Sequence, residues 1–392
     1  MSEIFDVVIL GGGCAGLSLS MALAKEGERC PRTLVIESRD EYTNDRTWCC
    51  WNKRSAPAPY PVRHRWQTMR VTNTSQSVSL ACGSTPYQMV EAQDFYTAAR
   101  SLIDQQPSMA LRLGTSVIGE PSHGDGLWTI RTSTGNVTAR SVVDTRPPQL
   151  PRRDGATLWQ SFYGWEIECG ETVFDPSSID LMDFLPPNAL DVEFVYVLPV
   201  TPRRALVEVT VFGAAPLGPR ELSARLDAAV SKRVGGAPFR TLRGEHGILP
   251  MGLKATPVSA HKSYVRVGVM AGGARPSTGY AFQRIQRWAR ECAHALVSRD
   301  HPVSHPRDGL PLRLMDQIFL DVLRADPSRG GALFLSLFSR ADTARVIRFL
   351  SGDAGVVDSL AVVAAMPVLP FARAALAMTR RRSQMSQIRS AA

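Results

Sequence analysis

The chain has 392 residues, 44% of them hydrophobic and 21% charged, which is enough apolar side chain for two or three folded cores and excludes a disordered polymer. Its net charge of +9, mostly arginine scattered along the chain, suits a solvated surface or attraction to anionic lipid, and the lack of zinc-finger spacing, an RNA-recognition signature or aromatic–basic interleaving argues against nucleic acid. Seven cysteines form an odd set with no C-x-x-C pair, so reduced thiols are expected rather than a disulfide framework or a metal site.

Val7–Leu10 is a short apolar run rich in β-branched residues and reads as a buried parallel strand. Gly11, Gly13 and Gly16 follow in GGGCAG at the G-x-G-x-x-G spacing, with Ala15 inside the turn, and Leu17–Ala24 recurs at helical period. Gly11 permits a tight turn, Gly13 lets backbone approach a pyrophosphate, and Gly16 lets the helix pack against the strand. Leu34–Glu37 is a second strand that ends on Glu37, whose carboxylate is placed to accept a ribose hydroxyl. Strand, turn, helix and acid together predict a dinucleotide site. The first strand starts so near the N-terminus that no export signal is expected.

Tyr42–Trp51, YTNDRTWCCW, is a loop leaving the carboxyl edge of this sheet, so Asp45, Arg46, Thr47 and Trp48 are candidate cofactor neighbours as well as packing residues. Met69–Leu80 alternates like a strand, and Tyr87–Gln106 has helical period with Asp94 near its middle. Leu111–Val143 reads as a β-meander, closed by the strand RSVVD with Asp144 at its tip. RPPQLPRRDG then reads as a domain border.

From Thr157 to about Glu245 longer strands predict a mainly antiparallel sheet with one covered face, and within this stretch Glu221–Val234 reads as an amphipathic helix. Tyr264–Met270 is expected as a buried strand whose glycine-rich exit leads to the helix Phe282–Leu296 and back to the first sheet. The remainder is helical, and Leu360–Ala372 is apolar but too short to span a bilayer. Arg373, Arg380, Arg381, Arg382 and Arg389 follow, a pattern suited to a membrane interface or to a frayed basic terminus.

Among the charged residues Glu208 stands out. In RALVEVTVF strict alternation puts Leu206, Glu208, Thr210 and Phe212 on one face and Ala205, Val207, Val209 and Val211 on the other, and both faces read as buried. Desolvation would favour the protonated acid there, making Glu208 a candidate proton donor, while pairing with Arg203 or Arg204 is the structural alternative. Glu166 and Glu168 in YGWEIE and Asp183 in LMDF are further acids in apolar company. No Ser-His-Asp spacing and no metal-ligand cluster is present in the sequence, so the chemistry rests on carboxylates, aromatics and a bound nucleotide.

These motifs, with FYGWE, LMDF, FVYVLP, LVEVT, Pro276–Tyr280 (PSTGY) and the tail FLSLFSRAD with RFLSG, resemble the bacterial flavoprotein lycopene β-cyclases over essentially the whole chain. The resemblance implies an α/β fold: a three-layer Rossmann-like FAD-binding domain, an inserted antiparallel-sheet substrate domain and a C-terminal helical region. The implied divisions are 1–155 and 246–305 for FAD binding, 156–245 for substrate, and 306–392 for a membrane-associated region.

The implied activity is a redox-neutral cyclisation of the ψ-ends of lycopene or a related linear carotene, using reduced FAD, with NADPH or NADH as reductant. Proton transfer to C2, attack of C5=C6 on the C1 cation and loss of a C6 proton give a β-ring. The implied place is the inner face of the cell membrane, peripheral and cytoplasmic, near other carotenoid-pathway enzymes. Glu208 matches the first acid of the family's L-x-E-[ED]-T strand. Its second acid is Val209 here, so that role is either absent or moved to Glu166 or Asp183. Pro276, Thr278, Gly279 and Tyr280 match the late flavin-binding turn, which lacks the acid of hydroxylase-type flavoproteins. An FAD-dependent hydroxylase or prenyl reductase, and a non-catalytic carotenoid-binding protein, are the alternatives.

Overall fold

The apolar run Val7–Leu10 lies at the centre of a seven-stranded sheet, flanked on both sides by parallel strands, which is why it has no polar face. In this computed structural model residues 3–53, 55, 58–147, 155–253 and 261–390 are described, and most of the proline-rich border falls outside them. The sheet order is Met109–Arg112, Thr33–Ile36, Ile4–Leu10, Gly135–Asp144, Leu127–Thr132 and Ser122–Gly124; the last three form a meander, while the start of the expected meander, at Leu111, lies in the strand at the opposite edge. Tyr264–Arg266 returns late in the chain to pair in parallel with the end of Gly135–Asp144. That late strand is shorter than Tyr264–Met270 because Gly268, at φ +101°, turns the backbone out of extended conformation.

Helix Cys14–Ala24 follows the glycine turn and is buried on nearly every side, with the sheet beneath it and helices Ala92–Asp104 and Phe282–Arg299 against it. The Tyr87–Gln106 stretch starts as a strand, Tyr87–Glu91, and becomes helical only at Ala92. Its strand forms the middle of a three-stranded sheet with Thr47–Trp51 and His64–Trp66, and Asp94 falls in the first helical turn, paired with Arg63 at 2.8 Å.

The second seven-stranded sheet runs Phe239–Leu253, Ala156–Cys169, Arg204–Gly213, Val192–Thr201, Ser178–Phe184, Thr68–Thr72 and Ser77–Ala81. All neighbours are antiparallel except Ser178–Phe184 with Thr68–Thr72. The alternating Met69–Leu80 stretch is thus a hairpin on this sheet's edge, its turn held by Asn73 Oδ1 accepting from the amides of Ser75 and Gln76 at 2.9 Å each. Both faces of the sheet are covered, not one. Val207, Val209 and Val211 pack under the helix Pro219–Val234 through Leu222, Leu226 and Val230. Leu206 and Phe212, on the opposite face, meet the C-terminal helices Leu310–Ala325, Gly330–Arg340 and Thr343–Ser351.

Those helices are tied to the late turn by a buried ion pair. Arg275 and Asp316, 1% and 2% exposed, meet at 3.2 Å; Ser277 donates to Asp316 at 2.7 Å, and the Arg275 guanidinium lies 4.0 Å from the centre of the Phe349 ring and donates to the Phe349 carbonyl. A short helix, Val356–Ala365, and a long one, Val368–Ser390, follow.

Removing one member of such a pair strands the other charge in an apolar interior. Arg275→Ala is expected to cost about 3–5 kcal/mol, measured as a shift in urea midpoint. The same change in a surface pair such as Arg29–Glu26 is expected to cost about 1 kcal/mol or less.

Candidate functional site

A cavity of about 860 Å³ runs from the glycine turn to the inner face of the second sheet. At one end its wall contains Gly11, Gly13, Ala15 and Glu37, with Asp45, Arg46, Thr47 and Trp48 from the neighbouring loop and strand. A Cβ on Gly13 would meet nothing within 4 Å, so this backbone faces open space; one on Gly16 would lie 2.0 Å from the Gly11 carbonyl oxygen, so Gly16 keeps the helix tight on the turn. Glu37 Oε2 accepts from the Gly12 amide at 2.7 Å, and Arg39 donates to both carboxylate oxygens. Burial alone would raise the Glu37 pKa, but the hydrogen bonds and charge of Arg39 and the Gly12 amide outweigh it and hold the acid ionised.

The late turn supplies Gly268, Val269, Met270, Thr278, Gly279 and Tyr280 to the same wall. Gly279, at φ +70°, leaves no room for a Cβ beside Gln160, whose buried Oε1 has no hydrogen-bond partner and also lines the cavity. An open glycine cradle, an ionised acid at the second strand and an acceptor lacking a donor are what a flavin dinucleotide requires, and the residues present fit FAD.

The far end is built by the second sheet in rungs, because facing residues on adjacent strands share one side. One rung reads Glu245, Gly164, Glu208, Tyr196; the next reads Gly247, Phe162, Thr210, Phe194. The glycines let their neighbours lie flat. A Cβ on Gly164 would come 3.0 Å from Glu208 Cβ, and one on Gly247 would come 2.4 Å from the Phe162 ring. Phe162, Phe194 and Phe212 join Leu181, Phe334 and Phe338 in the wall.

Glu208 is 8% exposed and receives a 2.9 Å hydrogen bond from Thr210. Desolvation, reinforced by the nearby charge of Glu245, pushes its pKa from the ordinary 4.5 to about 8 against the lowering effect of Thr210. A carboxyl group there is protonated at neutral pH. The pairing with Arg203 or Arg204 that alternation left open does not form: Arg204 binds Glu166 instead.

The other proposed acids lie elsewhere. Glu166 shares the rung Arg243, Glu166, Leu206, Leu198, is clamped between Arg204 and Arg243, and is not in the cavity wall. Asp183 sits past a bulge, bonded to Arg233 of the helix on the opposite face at 2.9 Å. Neither stands in for the acid replaced by Val209, whose position itself faces the helix-covered core. Asp144 is also off the wall: its carboxylate is held by Arg146, Tyr264 and Arg266, which lower its pKa despite burial, and Arg146 is what reaches the cavity. Pro276 is not among the residues that line the cavity.

Sequence reasoning passed over Glu245, 5% exposed and on the wall. The strand Phe239–Leu253 has no clean alternation, and only register across Gly164 reveals its place opposite Glu208. Tyr196 was likewise hidden within an apolar run. It donates to Tyr87 Oη at 2.9 Å on the cavity wall.

A family model described as lycopene cyclase protein matches residues 6–376. Among solved structures, a geranylgeranyl bacteriochlorophyll reductase-like protein from Thermoplasma acidophilum superposes with a TM-score of 0.61 at 15% identity, covering 95% of this chain and 99% of that one. The p-nitrophenol 4-monooxygenase PnpA from Pseudomonas putida DLL-E4 gives 0.55 at 14% identity, with 97% and 98% covered. Aklavinone-11 hydroxylase, solved with FAD and aklavinone, gives 0.52 at 15% identity, with 76% and 63% covered. At these identities the likeness is one of fold, that of the FAD-binding oxidoreductases. No curated protein matches the sequence.

The raised acid has a thermodynamic signature. Between pH 4.5 and about 8 the folded protein holds a proton at Glu208 that the unfolded chain has released, so this group makes stability fall as pH rises through that window. Glu208→Gln is expected to flatten that decline and to gain on the order of a few kcal/mol over wild type at pH 8, read from denaturant melts at pH 5 and pH 8.

Proposed function

This chain belongs to the lycopene cyclase protein family, and from that premise we propose that it cyclises the ψ-ends of lycopene or a related linear carotene to β-rings. The observation that carries the reading is a buried carboxyl, Glu208, with a single hydroxyl donor, on the wall of an aromatic cavity continuous with the glycine turn. Glu208 donates its proton to C2 of the ψ-end as general acid, and the C5=C6 double bond closes on the resulting C1 cation. Phe162, Phe194 and Tyr196 line the cavity, where aromatic rings stabilise a developing positive charge. The Gly11–Gly16 turn, Glu37, Thr278 and Gly279 would hold FAD, which in its reduced form, with NADPH or NADH as reductant, would supply electron density to that charge.

The carotene is insoluble in water, and the C-terminal helices offer a route to it. Val356, Leu360, Val368 and Leu369 are between 62% and 77% exposed, and Arg373 and Arg380 follow them. Among the described residues no helix is by itself long and apolar enough to cross a membrane; Val356–Ala365 and Val368–Arg380 meet the length and composition test together but are bent by 112°. That geometry suits a pair lying in the headgroup region with its arginines near anionic lipid. Phe371 contacts Phe319, which contacts Phe334 of the cavity wall, so an aromatic path joins this surface to the site.

Expression in a lycopene-accumulating cell is expected to convert lycopene to γ- or β-carotene, and Glu208→Gln to reduce conversion by about 10²–10⁴-fold. More saturated or hydroxylated pigment, formed with stoichiometric loss of NADPH, would instead indicate a prenyl reductase or hydroxylase, and unchanged lycopene a binding protein.

The membrane reading has its own test. Purified protein is expected to sediment with liposomes containing phosphatidylglycerol and to be released as salt rises, whereas Val368→Glu with Leu369→Glu stays in the supernatant. A wild-type protein that ignores such liposomes at low salt would refute it.

A further inference from the structure

Cyclisation is incomplete until a proton leaves C6, and Glu208, having just given one up, is flanked by a second buried acid. Glu245 lies directly across Gly164 from Glu208, so the two Cα atoms are about 10 Å apart, two strand spacings, with a residue lacking a side chain between them. Their surroundings differ in kind. Glu208 has a single hydroxyl donor, Thr210, whereas Glu245 is bonded by the Thr47 hydroxyl at 2.7 Å and by the Arg243 guanidinium. Arg243 is itself fixed by Glu166 at 2.6 Å and donates to Thr47 at 2.6 Å. Among the described residues both donors to Glu245 take Oε2, which leaves Oε1 without one on a residue that lines the cavity. An ion-paired carboxylate beside a lone carboxyl is the arrangement that separates a base from an acid within one site.

We propose that Glu245 is the carboxylate that takes the C6 proton, so that a single rung of the sheet carries both the acid and the base of ring closure. The assignment rests on the cyclase reading above. The steps balance without an oxidant or reductant. The O–H bond of Glu208 breaks as the C1=C2 pair forms the C2–H bond, and the C5=C6 pair then forms C1–C6 and leaves the charge on C5. The C6–H bond breaks, its electrons restore C5=C6, and the proton goes to Glu245. Transfer of that proton back across the Gly164 gap resets the pair.

The rival groups on the wall are poorly suited. Glu37 and Asp45 belong to the dinucleotide end, and Glu37 is saturated by Arg39 and Gly12. His246 follows Glu245 in sequence and also lines the cavity, but it is exposed, whereas Glu208 and Glu245 are buried. Burial pushes the Glu245 pKa up, and the charge and hydrogen bond of Arg243, with the Thr47 hydroxyl, oppose that push; Glu166, one of the two acids the sequence offered, positions Arg243 for it.

Small-carboxylate rescue separates a missing base from a damaged scaffold. The test uses flavin-loaded protein, chemically reduced, with lycopene in liposomes at pH 7 and sodium formate as the probe. Glu245→Ala is expected to slow β-ring formation by about 10²-fold or more, and formate to restore it by about tenfold or more. Glu208→Ala is expected to show no gain, because formate at pH 7 is a base and carries no proton to donate. Glu245→Ala that retains flavin and cyclises within about threefold of wild type, or that is slow and gains nothing from formate, overturns the proposal. Should Glu245→Ala lose its flavin, Glu245→Gln and Glu245→Asp decide: cyclisation by Gln at the wild-type rate refutes the role, and loss in Gln with recovery in Asp upholds it. A wild-type holoenzyme that makes no cyclic carotene sinks the cyclase reading itself, an outcome distinct from any of these.

Discussion

The arrangement depends on one unfavourable burial. A carboxyl at Glu208 has been taken out of water with a lone hydroxyl as partner, and the sheet holds it there by sandwiching its strand between two apolar layers. An isolated ionised acid in such a place is far costlier than a neutral one, so the site keeps its proton near pH 7 without any dedicated donor group. Glu245 deepens the effect by placing negative charge nearby, and Gly164 makes the geometry possible by giving Glu208 room to lie across its strand.

Two sheets of different logic meet at the cavity. The parallel sheet places the ends of its strands, with the glycine turn and Glu37, at one end of the cavity, beside the N-terminus of the first helix. The antiparallel sheet presents a face whose rungs grade from charged, at Arg243 and Glu166, through Glu208 and Tyr196, to aromatic, at Phe162 and Phe194. The Thr47–Trp51 strand bridges them: Thr47 bonds Glu245 and Arg243 of the second sheet, while Trp48 stacks on Phe282, which opens the helix packed beside the first. Displacing this bridge would move both ends of the cavity together, which gives a physical reason for its dense aromatic packing.

How much of this was readable beforehand varied with the range of the interaction. The glycine turn, Glu37 and the alternation around Glu208 are local patterns, and each appears where periodicity puts it. The split of Tyr87–Gln106 into strand and helix was missed because Tyr87–Glu91 takes its conformation from pairing with two strands, not from its own period. Glu166 and Asp183 looked like site residues because they are acids in apolar company, and Asp144 because it ends a buried strand, but sequence does not show that arginines at 204, 243, 233 and 146 are folded onto them.

The sequence by itself determined the dinucleotide turn, the two-sided burial of Arg204–Gly213 and the mainly helical C-terminus, since turn chemistry and hydrophobic period act between residues a few positions apart. Only the tertiary structure decided which acids share a chamber. Whether Glu245 or Glu166 stands beside Glu208 depends on strand register across Gly164, and a shift of a single position would turn either carboxylate to the opposite face.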